Sequence, residues 1–312
     1  MLDVRRLRVL REVAAHGSFS AAAEALAYTQ SAVSQQISAL EKEAGTRLVD
    51  RGARGVTLTE AGRALVSHAD AILGRLADAE AELDAISGLR RGRLRLATFA
   101  TAGATVVPKA VVEFRKRYPG VELSIAPGEP PDNISALRCG DADVAIVVDA
   151  PNDRIAPEPE FETVHLLDDP MSLMLPADHP LAANEAVDLA DLAEDEWILG
   201  STERCPDARI LIRTCREAGF EPRIAFQSDD HLAVQGFVAS GFGVSFIPDL
   251  ALVAVRDDVV VRSIIGASPV RHVHAATLAG TWASPAKQAM LAVLAEVSQG
   301  FSVPRTRVAE AA

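Results

Sequence analysis

Gln30, Ser31, Ser34, Gln35 and Ser38 recur at steps of one, three and four residues, the spacing that lines side chains along one edge of an α-helix. Short amides and hydroxyls in such a row can hydrogen-bond base edges or phosphates, and a helix N-terminus itself favours a phosphate. Val33, Ile37 and Leu40 fall on another face of the same segment, so one face packs while the other is left to touch a partner. The alternative is a helical hairpin with an ordinary solvated face, because short motifs also match by chance.

Those side chains need elements to hold them. Thr29 stands where an N-cap would open the helix, and Ser18 does the same for a shorter helix containing Ser20, Ala21, Ala22, Ala23, Ala25 and Leu26. The alanines allow two helices to approach closely. Arg47, Arg51, Arg54 and Arg63 then surround RGARGVTLTEAG, where Gly52 and Gly55 permit a hairpin and Val56 and Leu58 alternate as in a strand. This reads as a basic wing beside a helix pair.

The run SFSAAAEALAYTQSAVSQQISALEKEAGTRLVDR, followed by VTLTEAG, resembles the winged helix-turn-helix of the LysR-type transcriptional regulators. Ser31 stands where that family often has proline, and Val49 where it usually has phenylalanine. Neither change removes a group needed for DNA contact. The resemblance implies a double-stranded DNA operator as partner, met by Ser20, Thr29, Gln30, Ser31, Ser34, Gln35, Ser38, Arg51 and Arg54. RNA polymerase is a further candidate partner.

Charge is consistent with that division of labour. The chain has 312 residues and a net charge of −12, which at first argues against nucleic acid. Residues 1–60 nevertheless hold eight Lys or Arg against seven acids, a net of +1, and the remainder carries −13. Repulsion should keep the acidic part away from DNA. A hydrophobic share of 49% is ample for packed cores in two or three domains. No apolar run approaches the roughly 20 residues that cross a bilayer, and the N-terminus lacks a signal-peptide core, so a cytoplasmic protein without membrane partners is expected. Three cysteines form no disulfide framework.

From Thr59 to about Ser87 the pattern is helical, with Leu65, Ile72, Leu76, Ala79, Leu83 and Ile86 in heptad spacing. At ~1.5 Å per residue this helix spans on the order of 40 Å. Its seam requires cover, either from its own chain or, more economically, from a second subunit. In the family resembled here this helix is the dimerisation linker, which implies a homo-oligomer, a dimer or a dimer of dimers.

GLRRG at Gly88–Gly92 breaks the helix, and strands then alternate with helices. Strands are expected at Leu94–Phe99, Val121–Ile125, Val144–Val148, Trp197–Leu199, Val244–Ile247 and His272–Leu278. Helices are expected at Val106–Tyr118, Asn133–Arg138, Cys205–Ala218, Leu232–Ser240 and Ala286–Val297. Such alternation gives a mostly parallel sheet covered by helices. It is similar to the LysR effector-binding domain. The expected fold is therefore multidomain: an all-α winged helix-turn-helix head (1–60), a long linker helix (61–90) and a two-lobed α/β effector domain like the periplasmic binding proteins. Lobe 1 is 91–165 with 268–303, lobe 2 is 166–267, and 304–312 is a mobile tail.

Two lobes imply a cleft, and ligands of open α/β sheets settle at strand carboxyl ends near helix N-termini. Thr98, Thr101 and Ala102 after the first strand, and Gly200, Ser201 and Thr202 after the strand ending at Leu199, offer hydroxyls and backbone N–H groups suited to a small anion. Each hydroxyl could equally be a helix cap. By resemblance, Glu129, Gln227, Asp229 and the Phe246–Ile247–Pro248 strand end also line the cleft. Some members of the family sense oxidants through a cysteine pair in the segment that here holds Cys205 and Cys215. Ten helical residues would hold those sulfurs about 15 Å apart, whereas a disulfide needs Cα atoms within about 7 Å.

No catalytic residues, cofactor or metal are expected. The sequence lacks a Gly-rich phosphate loop and a GxSxG elbow, and His272 and His274 alternate on one strand, two groups short of a metal site. A solute-binding protein is the rival for residues 92–300, since one architecture serves both purposes. The attached head argues against it.

Overall fold

The computed structural model describes residues 1–52, 55–86, 92–150, 155–156, 159–200, 205–281 and 284–301, and only the backbone of residues 51, 77–78, 80–82 and 84–86. The chain forms two compact units, one of Met1–Leu89 with Arg138–Asp141 and one of Arg90–Leu137 with Ala142–Ala312. The expected hinge from Gly88 and the tail from Pro304 lie outside the described residues, apart from Gly92.

The first unit opens with α1 (Val4–His16), α2 (Phe19–Ala25) and α3 (Gln30–Ala44). Ser18 accepts from the Ser20 and Ala21 amides and Thr29 from that of Ala32, so both expected caps satisfy donors that the helices leave unpaired. The turn between α2 and α3 places Ala27 at φ 53°, a left-handed conformation that costs a Cβ-bearing residue roughly 1–2 kcal/mol. Val33, Ile37 and Leu40 are fully buried against Leu7, Leu10 and Val13 of α1 and Ala22 of α2. Truncating one of the larger side chains to alanine would cost about 2–5 kcal/mol.

The wing is the hairpin of β1 (Val49–Gly52) and β2 (Gly55–Leu58), and Val56 and Leu58 face inward as their alternation predicts. Glu41 Oε1 accepts from the Leu48 and Val49 amides, which fixes where β1 leaves α3. After it comes α4 (Glu60–Ile86), capped by the Thr59 hydroxyl, which accepts from the Gly62 amide. A Cβ on Gly62 would sit 2.0 Å from the Leu48 carbonyl oxygen; only glycine lets α4 cross the base of the wing so closely.

The second unit is one ten-stranded array. Its elements are β3 (Arg93–Thr98), α5 (Ala100–Ala104), α6 (Val106–Arg117), β4 (Glu122–Pro127), α7 (Pro130–Arg138), β5 (Val144–Asp149), β6 (Phe161–Pro176), β7 (Ala186–Val187), β8 (Glu196–Leu199), α8 (Pro206–Glu217), β9 (Arg223–Gln227), α9 (His231–Ala239), β10 (Val244–Pro248), β11 (Val259–Ile264), β12 (Val270–Leu278) and α10 (Pro285–Gln299). The path order is β4-β3-β5-β12-β6-β10-β8-β9, with β11 beside β6 and β7. On lobe 1 a core built with α6 and α10 covers one face and α7 the other. On lobe 2, α8 and α9 divide the faces in the same way. VAIVVD of β5 is buried throughout, as befits a strand covered on both sides.

Two expectations are corrected. The sheet is not mostly parallel throughout: β3, β4 and β5 pair parallel, as do β8, β9 and β10, but β12 and β6 join them through antiparallel ladders. The lobe boundary also lies later than residue 165. Phe161–Pro170 pairs with β12 in lobe 1, and Met171–Pro176 pairs with β10 and β11 in lobe 2, so a single 16-residue strand serves both lobes. Its apolar residues follow no clean period of two, because each half is buried by a different lobe.

Candidate functional site

The exposed edge of α3 carries Gln30, Ser31, Gln35 and Ser38, with Ser34 partly buried beside them. Thr29 is exposed as well, but its hydroxyl caps α3 and lies 3.0 Å from Ser31 Oγ. Ser20 is exposed on α2. Arg6, basic yet not part of this face, donates to Gln36 at 3.2 Å and pairs with Glu43, so it ties α1 to α3. Arg54 and the Arg51 side chain lie outside the described residues, while the Arg51 backbone sits in β1.

Arg271 lies in the cleft between the two lobes. It belongs to β12 in lobe 1, in phase with buried Val273 and Ala275, and is only 2% exposed. A guanidinium placed among apolar side chains must be paired there. Its Nε donates to Asp169 Oδ2 at 2.8 Å, Nη1 to Asp207 Oδ2 at 2.6 Å, and Nη2 to Thr101 Oγ1 at 2.8 Å. Thr101 belongs to lobe 1 and Asp207 to the first turn of α8 in lobe 2, so one cation spans the cleft. A second bridge runs from Cys205 Sγ to Glu129 Oε2 at 3.4 Å.

The cleft is narrow and is lined by these residues except Asp169, together with Phe99, Pro130, Gly200, Asp229 and His231, among others. Burial raises the Glu129 carboxyl above the usual carboxylate range, aided by Asp229 and offset by the Cys205 thiol. Burial likewise raises Asp169, against the pull of Arg271 and the Leu250 amide. His231 is pushed down to about 4, first by burial and then by the Arg271 charge, so it is neutral at pH 7. Asp207 Oδ1 is buried with no hydrogen-bond partner among the described residues.

Of the residues expected here, Thr101, Glu129, Gly200 and Asp229 line the cleft. Thr98 and Ala102 are buried in lobe 1 instead, the Thr98 hydroxyl donating to the Phe99 carbonyl, and Phe246 is buried in the core beneath α8. Gln227 is exposed at the end of β9 and does not line the cleft. Ser201 and Thr202 lie outside the described residues. Sequence reading missed Arg271, Asp169, Asp207 and His231. The signal was an arginine in the apolar phase of VRHVHAATL, which calls for buried counter-charges.

Cys205 stands at the N-cap position of α8 without a side-chain cap bond, Cys215 lies in the last turn, and neither is in a disulfide. Burial pushes the Cys215 thiol up to about 12, which leaves negligible thiolate at pH 7.

The two units match two family profiles. Residues 4–63 match the bacterial regulatory helix-turn-helix protein, lysR family, and residues 87–299 the LysR substrate binding domain. The probable HTH-type transcriptional regulator LrrA of Synechococcus elongatus is 32% identical over 302 residues, 95% of this chain and 98% of that one. A full-length OxyR from Pseudomonas aeruginosa has a TM-score of 0.68 at 24% identity, over 99% of each chain. CbnR complexed with its target DNA has a TM-score of 0.62 at 24% identity, over 95% of this chain and 100% of that one. Among the described residues no helix is long and apolar enough to cross a membrane. With both of its units accounted for by one family of regulators rather than of enzymes, the chain belongs to the LysR family of DNA-binding transcriptional regulators.

Proposed function

We propose that a small molecule entering the cleft changes how the exposed edge of α3 engages operator DNA. The observation that carries this reading is Arg271, which holds Thr101 of one lobe and Asp207 of the other at once. A ligand that competes for or reinforces those bonds binds open and closed lobes with different affinity, and only such a difference shifts the balance between them. The effector is a donor of hydrogen bonds, an ammonium or a polyol, rather than the small anion that the hydroxyls suggested. Glu129, Asp207 and Asp229 line the described cleft, and Arg271 is already engaged. An anion would have to displace Asp207 first.

Thr101 acts on the effector through Arg271, since its hydroxyl oxygen accepts from that guanidinium. The head works as a homo-oligomer, a dimer or a dimer of dimers, joined along α4. Ile72, Leu76 and Leu83 are 40%, 43% and 66% exposed on this helix, whereas Leu65 packs into the head core. The Ile86 side chain lies outside the described residues. Acting on the chromosome places the protein in the cytoplasm, with RNA polymerase as the partner through which bound DNA is read out.

Thermal-shift screening of the full chain against matched amines, polyols and carboxylic acids tests the cleft, with hits carried into a gel-shift assay on DNA flanking the gene. Stabilisation by amines or polyols that also alters the gel shift supports the reading. Stabilisation by acids alone would overturn the ligand class, and hits without effect on DNA would overturn the coupling.

A further inference from the structure

His272 and His274 alternate on β12, and the structure supplies neighbours for them from β6. His272 lies opposite Asp168 and His274 opposite His165. Residues three apart on a regular strand face opposite ways, so His165 and Asp168 would ordinarily be separated by the sheet. An irregularity in the ladder between Val273 and His274 takes up one extra β6 residue, Leu166, and turns both side chains to the same face, as bulges do. His165 Nε2 then lies 2.9 Å from Asp168 Oδ1, and His272 Nδ1 lies 2.7 Å from the same oxygen. One ligand atom from each residue falls within 4.8 Å of the other two.

We propose that His165, Asp168 and His272 form a binding site for a borderline divalent cation of the zinc, nickel and cobalt class. Two imidazoles and one carboxylate are the donor set such ions prefer, whereas calcium and magnesium seek oxygen donors throughout. Bonds of ~2.0–2.1 Å require ligand atoms a few tenths of an ångström further apart than the present hydrogen bonds. The side chains can supply this, being 51%, 61% and 35% exposed. That exposure also leaves coordination positions for water or an incoming ligand. The His274 ring packs edge-on against His165 at 5.3 Å and its Nε2 lies 3.7 Å from Asp149 Oδ2, so the next residues along this face are an imidazole and a carboxylate as well.

The site lies beside the effector cleft without belonging to it. Asp168 and His272 are sequence neighbours of Asp169 and Arg271, the next opposed pair in the same ladder, whose side chains point to the other face of the sheet. An ion would thus brace β6 just before it passes from lobe 1 to lobe 2.

The test is zinc and nickel binding by the untagged full chain, measured by competition with a chromophoric chelator. The expected result is one equivalent per chain with micromolar affinity, no competition by magnesium or calcium, and at least tenfold weaker binding in His165→Ala and in His272→Ala. Because these side chains are exposed, melting of the metal-free variants should match wild type, while saturating zinc should raise the melting temperature of wild type alone. His68→Ala, on the exposed side of α4, should bind as wild type does. No binding by wild type at 100-fold the chelator's competing range, or equal stoichiometry and affinity in the His165→Ala/His272→Ala double variant, would overturn the proposal.

Discussion

Arg271 and Asp207 meet at 2.6 Å across the two lobes, and both are buried. Removing one partner of a buried ion pair strands the other charge, at a cost of about 3–5 kcal/mol. Arg271→Met should therefore destabilise the protein by that order in denaturant titrations. Arg271→Met combined with Asp207→Leu should recover part of the loss, because it removes the stranded Asp207 charge, while Asp169, which the guanidinium also pairs, stays uncompensated and keeps the recovery incomplete. Additive losses in the double variant would mean that the pair is not coupled.

Thr101→Val keeps the shape of the side chain but removes the acceptor of the Arg271 Nη2 bond. A lost hydrogen bond of about 1 kcal/mol should raise the effector concentration for half-maximal response several-fold. DNA affinity without effector should stay near wild type. An unchanged effector response would detach Thr101 from the switch.

The head was legible in the sequence because its cues are local. Two hydroxyl caps, an apolar stripe at steps of three and four, and a glycine-bounded hairpin each depend on residues close in the chain, and each formed where expected. The cleft was only partly legible. Arg271 lies 102 residues from Asp169 and 64 from Asp207, and no local period joins them. Thr98 and Ala102 satisfied the rule for strand-end ligand sites yet turned inward, because α5 follows β3 so tightly that its first turn packs against lobe 1. The histidine cluster was half visible: β12 shows its two imidazoles by alternation, but only pairing with β6 and the ladder irregularity bring His165 and Asp168 beside them.

On α4, Leu76→Asp or Leu83→Asp would put an uncompensated charge into an apolar seam. Light scattering should then report a smaller species than wild type. An unchanged mass would place the contact between subunits elsewhere.

His231, held down to about 4 in the folded state, takes up its proton on unfolding at an ordinary value near 6.5. Its contribution to stability is therefore complete above about pH 6.5 and is lost as pH falls toward 4, by up to ~3 kcal/mol. Glu129 and Asp169, raised by burial, act in the opposite sense, so the readout is the difference between wild type and His231→Gln across pH 4–7. Parallel stability curves for the two proteins would show that His231 is not the titrating group.

The most direct test of the account is fluorescence anisotropy of the full chain on DNA flanking its gene and on a scrambled duplex, at fixed salt. Wild type should prefer the former by about 10³-fold or more. Gln30→Ala and Gln35→Ala should each cost about 1–3 kcal/mol on that site alone, while Arg51→Ala should weaken both duplexes alike and lower the salt slope by about one. Equal affinity of wild type for the two duplexes, or wild-type binding and salt dependence in all three variants, would contradict the assignment of this surface as the one that reads DNA.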